Sequence, residues 1–119
     1  MTCAWKELLA ILPTWCRNDV DELGRDTLQE LRLRLGLVPE LIRSNGNIKL
    51  KRAVTAEDLS YIVNTASRYS PWSAQTAAKG YLTAAGGHRI GICGETVMKD
   101  GILTGIRTVT SLCIRVARD

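Results

Sequence analysis

Glu30-Leu31-Arg32-Leu33-Arg34-Leu35 alternates charged and aliphatic residues without a break. Side chains of an extended chain point to opposite faces in turn, so this run predicts a strand with one wet face and one buried face. Gly36 and Pro39 punctuate the chain after it. Glu40 to Arg43 then reads as a second short strand. Ser44-Asn45-Gly46 carries an Asn-Gly turn signal, and Ile48 to Leu50 returns.

Upstream, Trp5, Leu8, Leu9, Leu12, Trp15 and Cys16 recur at three- and four-residue steps, the spacing of an amphipathic helix. Pro13 divides that pattern, with a second helical piece starting beside it. Val20 and Leu23 carry the second piece to Gly24. Downstream, Thr55 is a helix cap, Glu57 and Asp58 suit the first turn, and Leu59, Ile62, Val63 and Ala66 form a buried stripe. That helix is expected to end near Ser70-Pro71. A short helix from about Trp72 to Lys79 then stops at Gly80. From Tyr81 the pattern is all strand: Tyr81 to Ala84, a Gly86-Gly87 turn, Arg89 to Val97, an Asp100-Gly101 hairpin turn, Ile102 to Thr108, and Leu112 to Ala117. Helices first, then strands, helices and strands again, predict an α+β domain. Its sheet is mostly antiparallel, with helices packed on one face.

The 119 residues suit one domain spanning 1–119. Aromatics make up only 5% and Phe is absent, so Leu, Ile, Val and Ala must build the core. Charge is uneven. Residues 1–30 hold six acids against three bases, whereas residues 31–55 hold six bases against one acid. The basic block from Arg32 to Arg52 could attract nucleic acid, acidic lipid headgroups or an acidic partner. The chain has no run of about 20 apolar residues, the length a membrane-spanning helix needs, and no signal-peptide pattern. Cys3, Cys16, Cys93 and Cys113 form no Cys-x-x-Cys pair, which argues against a zinc site and for free thiols in a reducing cytosol.

Signatures of catalysis are weak. No glycine is followed by lysine, so a phosphate-binding P-loop cannot be matched. His88 and Cys93 lie five apart on one strand, on opposite faces, which argues against a cysteine–histidine dyad. The concentrated feature is Gly86-Gly87-His88-Arg89-Ile90-Gly91-Ile92-Cys93-Gly94. Four glycines in nine residues weaken a strand, so either another backbone or a ligand should pass close by, or the sheet should bulge. Arg89, Arg107, Arg115 and Arg118 sit on or beside the last strands, and the guanidinium fork suits phosphate or carboxylate. His88 reads as a hydrogen-bonded turn residue.

The same stretches resemble a known family, stage III sporulation protein AA. Glu30-Leu31-Arg32-Leu33-Arg34-Leu35-Gly36 followed by Pro39 is similar to its E-I-R-L-R-x-G-x-P stretch. Gly80-Tyr81-Leu82-Thr83 with Gly86-Gly87-His88-Arg89-Ile90-Gly91-Ile92-Cys93-Gly94 is similar to its G-Y-I-T and G-G-H-R-V-G-x-x-G stretches. Ile106-Arg107 and Ser111-Leu112-Cys113-Ile114-Arg115-Val116-Ala117-Arg118 are similar to its I-R and S-L-N-I-R-I-A-R stretches. Leu31 replaces the usual Ile, and Cys113 stands where Asn is common. The resemblance implies an N-terminal, non-catalytic assembly and regulatory domain, joined in the family to a RecA-like ATPase domain that this sequence lacks. It implies ATP and Mg in the parent protein and no cofactor in this chain. It also implies a homo-hexamer, contacts with the protein's own ATPase domain and neighbouring subunits, and other stage III sporulation membrane proteins as partners. The expected location is the mother-cell cytoplasm, peripheral to the membrane. Arg89, Arg107 and Arg115 would then face an interdomain nucleotide cleft, with Gly86, Gly87, His88, Gly91 and Gly94 as structural motif residues. The rival expectation is a nucleic-acid-binding module using Arg32–Arg52. The missing interleaved aromatics make nucleic acid the less favoured partner.

Overall fold

A computed structural model describes residues 4–67, 80–99 and 102–118, with side chains throughout except over 96–107. Two short helices come first, α1 (Trp5–Ala10) and α2 (Thr14–Gly24). Pro13 caps the second, and Cys16 N–H donates to its carbonyl at 3.1 Å. Arg17 fills the break by donating to the carbonyls of Leu12 (2.8 Å) and Ala10 (3.2 Å), which the end of α1 leaves without helical donors. Three strands follow: β1 (Leu28–Arg34), β2 (Glu40–Arg43) and β3 (Ile48–Lys49). Then come α3 (Ala56–Ser67), β4 (Tyr81–Thr83), a single 3₁₀ turn (Ala85–Gly87), β5 (Arg89–Lys99) and β6 (Ile102–Arg115). The six strands form one antiparallel sheet in the order β3-β2-β1-β6-β5-β4.

Register explains why the alternation of β1 matters. Leu31 lies between Leu41 of β2 and Ile114 of β6. Ile114 in turn faces Ile90 of β5, Ile90 faces Leu82 of β4, and Leu41 faces Ile48 of β3. One aliphatic side chain from every strand thus forms a continuous row, fully buried except at Ile48. A second row, Leu33–Leu112–Ile92, lies beside it and is also buried. The helices cover this face, α3 against β4 and β6 and α2 against β2. They contribute Leu8, Leu12, Val20 and the expected stripe Leu59, Ile62, Val63 and Ala66. Full burial of each such side chain is worth about 1.5–3 kcal/mol.

Two indoles fasten the helices to one another. Trp5 Nε1–H donates to Asp21 Oδ1 at 2.8 Å, and Arg25 grips the same carboxylate with two nitrogens. Those bonds, Arg25's first, hold the Asp21 carboxyl down at about 2. Trp15 Nε1–H donates to Asp58 Oδ1 at 3.1 Å. Asp58 also closes a capping box, accepting from Thr55 N–H (2.9 Å) and donating its own N–H to Thr55 Oγ1 (3.1 Å). Burial works to raise the Asp58 pKa, but the bonds from Thr55 and Trp15 outweigh it and the net shift is downward.

One element differs from the sequence expectation. The stretches Ile102 to Thr108 and Leu112 to Ala117 are not two strands: residues from Ile102 to Arg115 form the single strand β6, and Val116 and Ala117 follow it. Its pairing with β5 shifts three times, at Cys93/Gly94, Glu95/Thr96 and Val97/Met98. Each shift leaves one β6 residue unopposed (Thr110, Arg107 and Thr104), which is a β-bulge. Beyond Cys93 and Ser111, among the described residues β5 and β6 have only each other as strand neighbours, so the hairpin continues as a two-stranded ribbon. The expected helix from about Trp72 to Lys79, and the expected helix end near Ser70-Pro71, lie outside the described residues.

Leu31→Ala empties the centre of the aliphatic row and is expected to lower unfolding free energy by about 3–5 kcal/mol in urea titrations. Leu37→Ala, at a side chain 54% exposed, is expected to change it by less than about 0.5 kcal/mol.

Candidate functional site

The opposite face of the sheet is polar, and among the described residues no helix covers it. Period two puts Arg32, Arg34, Tyr81, Arg89, Gly91, Cys93, Cys113 and Arg115 there. Register sets them in rows. Tyr81, Gly91, Cys113, Arg32 and Glu40 form one row, and Thr83, Arg89, Arg115 and Glu30 the next.

Arg89 and Arg115 are therefore direct cross-strand partners, one at the start of β5 and the other at the end of β6. Like charges placed directly opposite oppose strand pairing. Among the described residues neither has a carboxylate within 4.0 Å. Glu30, the other cross-strand neighbour of Arg115, is held by Arg32 at 2.6 Å. Arg89 lies over the Tyr81 ring, 5.7 Å from its centroid. The two arginines line a hollow of about 360 Å³ with Gly87, Val116, Ala117 and Arg118. Its chemistry suits an oxyanion, because two forked guanidinium groups border it and, among the described residues, neither makes an ion pair within 4.0 Å.

Arg107 is not part of this hollow. It is the unopposed residue of the middle β6 bulge, eight residues before Arg115 and so about 26 Å away along the strand. Arg118 lines the hollow but also serves the fold. Its guanidinium donates to Leu28 O (2.9 and 3.0 Å) and to Arg25 O (3.2 Å), and lies over Trp5.

His88 is fully buried and joins both ends of the domain. Nε2–H donates to Ala4 O at 2.7 Å, and Nδ1 accepts from Ala117 N–H at 3.1 Å. Because a carbonyl can only accept, these two bonds require the neutral Nε2–H tautomer. Gly86 makes room for the clasp: its φ is +87°, and an added Cβ would collide with the Ala4 methyl. Gly91 differs. An added Cβ there would meet only Cys113 atoms at 3.8–3.9 Å, an ordinary contact, so the domain's own packing does not require glycine. Gly94 sits at the first register shift, and Gly87 has a positive φ in the turn.

The basic block does not form one patch. Arg32 and Arg34 lie on the polar face, and Arg43 turns inward to the carbonyls of Gly46 (2.6 Å) and Leu23 (2.8 Å). Lys49 stands opposite Glu40 at the edge of that polar face, where it shares a hollow with Arg32 and Arg34, and with Lys51 and Arg52 it also borders a groove beside α2. Sequence spacing shows neither this dispersal nor the contact of Tyr81 with Arg89, since both depend on register. Of the described thiols, burial and then Glu30 push Cys113 up to about 11, and burial pushes Cys16 to about 12, while Cys93 is exposed. Cys93 points away from buried His88. Among the described residues no three His, Cys, Asp or Glu side chains converge as metal ligands, and no helix is long and apolar enough to cross a membrane.

Residues 6–119 match the family model described as sporulation stage III, protein AA. Stage III sporulation protein AA of Bacillus subtilis (strain 168) is 34% identical over 116 residues, which take in 94% of this chain and 38% of the relative. The chain thus spans less than two fifths of that relative's length. No solved structure matches it.

Gly86→Ala is expected to destabilise the domain by about 1–3 kcal/mol, through a strained φ and the lost His88–Ala4 clasp. Gly91→Ala is expected to leave stability unchanged or raise it by about 0.5–1 kcal/mol. Chemical unfolding of the two variants checks both.

Proposed function

The chain belongs to the sporulation stage III, protein AA family, and on that premise we propose that it is a non-catalytic assembly and regulatory domain of a longer sporulation ATPase. The observation that carries this reading is the Arg89–Arg115 pair. Two like charges stand opposite each other on an open sheet face, where among the described residues neither makes an ion pair within 4.0 Å and the nearest carboxylate in register, Glu30, is shared with Arg32. Such a pair opposes the domain's own folding, so its use lies in an external anion. In the proposed arrangement the pair faces the domain that carries the phosphate-binding loop. The arginines then contact carboxylates of that domain or the phosphate oxygens of ATP bound to it.

This chain has no Gly-Lys sequence for a P-loop, so nucleotide and Mg would be held by the rest of the longer protein. What this chain supplies is charge that closes over the nucleotide, a role in which a guanidinium stabilises developing negative charge on phosphate. The hollow lies beside the last residues of the domain, and His88 ties that exit to Ala4. A movement of the following polypeptide would therefore be passed to α1 as well as to the sheet. Arg107, on the ribbon, would meet a neighbouring subunit at a separate point. The proposed setting is a ring of identical subunits in the mother-cell cytoplasm, beside membrane-borne stage III sporulation partners.

The test uses the full-length protein. Arg89→Ala and Arg115→Ala are each expected to lower ATP turnover about tenfold or more, equivalent to about 1.4 kcal/mol of lost transition-state stabilisation. Substrate-free folding should be retained. Unchanged turnover and unchanged assembly in both variants would sink the proposal.

A further inference from the structure

A groove of about 500 Å³ runs between α2 and the β3 edge, on the helix side of the sheet. Trp15, Leu23 and Ile48 form its apolar floor, each only half-buried by the domain's own core. Lys51 and Arg52 border it from the β3 side, and Lys49 reaches its rim from the sheet edge, where it also stands opposite Glu40; all three are exposed. Asp19 is the only acid in its lining among the described residues. Among the described residues neither lysine has a carboxylate within 4.0 Å. The Asp58 carboxylate nearby is already taken by Trp15 and Thr55. The site thus combines recessed apolar surface with an excess of positive charge along one wall, three cations against Asp19.

We propose that this groove is a docking site for an acidic amphipathic helix of a partner protein. Its volume falls within the range of about 300–1,000 Å³ typical of binding sites. A helix seats aliphatic side chains at three- and four-residue steps on such a floor while its flank carries acids to the cationic wall. The concavity disfavours a lipid bilayer, whose flat surface would meet the lysines but not the recessed floor. Trp15 is poorly available for stacking bases. Arg52 lies 4.7 Å over its ring, and Asp58 accepts its N–H. Strand addition is also disfavoured, because β3 is two residues long and carries a lysine, features that blunt a sheet edge. The groove lies three strands away from Arg115 in the sheet order, so its failure as a docking site would leave the arginine hollow untouched.

The test is a random-peptide display selection on the 119-residue chain, counter-selected on the Lys49→Gln/Lys51→Glu variant, which keeps an acid from standing opposite Glu40. Both lysines are exposed, so the variant should melt within about 2 °C of the parent; Lys49→Gln/Lys51→Gln replaces it if it does not. Recovered peptides are expected to interleave Asp or Glu with Leu, Ile or Met at helical spacing. They should bind the parent about tenfold tighter than the variant, and lose affinity as salt rises. Recovery of acid-free peptides, or of none that distinguish the two proteins, overturns the proposal. So does capture of phosphatidylglycerol vesicles or an oligothymidine strand that the same lysine changes abolish, with no peptide captured.

Discussion

One row of six aliphatic side chains, a single residue from each strand, fixes the rest of the molecule. Leu82, Ile90, Ile114, Leu31, Leu41 and Ile48 touch across the sheet only in one register. Slipping any strand by one residue would turn its aliphatic residue to water and a charged or polar one into the core. The helices depend on the same face, because their buried stripes pack on this row and on the Leu33–Leu112–Ile92 row beside it.

Fixing one face also fixes the other. Once Ile90 and Ile114 point inward, Arg89 and Arg115 are forced outward and opposite each other. The conflict between these arginines is thus a consequence of good packing beneath them. Other cations in the same region are absorbed by the fold: Arg118 by the carbonyls of Leu28 and Arg25, and Arg43 by those of Gly46 and Leu23. The contrast separates arginines that build the domain from a pair that it leaves facing outward. Gly91 lies on the same face two residues from Arg89, where the domain has room for a methyl group.

Much of this was legible in the sequence, for physical reasons. The β1 alternation and the α3 stripe are periodic, and Pro13, Gly24 and the Thr55 cap are local signals, so each could be read in place; the reciprocal bond from Asp58 appeared only in the structure. β6 was not legible as one strand, because each of its three bulges reverses the phase of a period-two pattern and imitates a break. The role of His88 as a turn residue with hydrogen bonds was evident, but its partners were not: Ala4 lies 84 residues away and Ala117 lies 29 away. The closeness of Arg89 and Arg115, and the separation of Arg107 from both, likewise followed only from register. The docking groove needed α2 and β3 side by side, which no stretch of sequence contains.

The account rests on the claim that Arg89 and Arg115 face outward for a partner and contribute nothing to the domain that carries them. The most direct measurement is the unfolding free energy of Arg89→Met and Arg115→Met in this chain, since methionine keeps an apolar stem and removes the charge. The account expects each variant to match the parent within about 0.5 kcal/mol or to exceed it, as the cross-strand repulsion is relieved. A loss of more than about 1 kcal/mol in either variant would contradict it, because ion pairs at exposed sites seldom reach that size and the arginine would then be part of the domain's own framework.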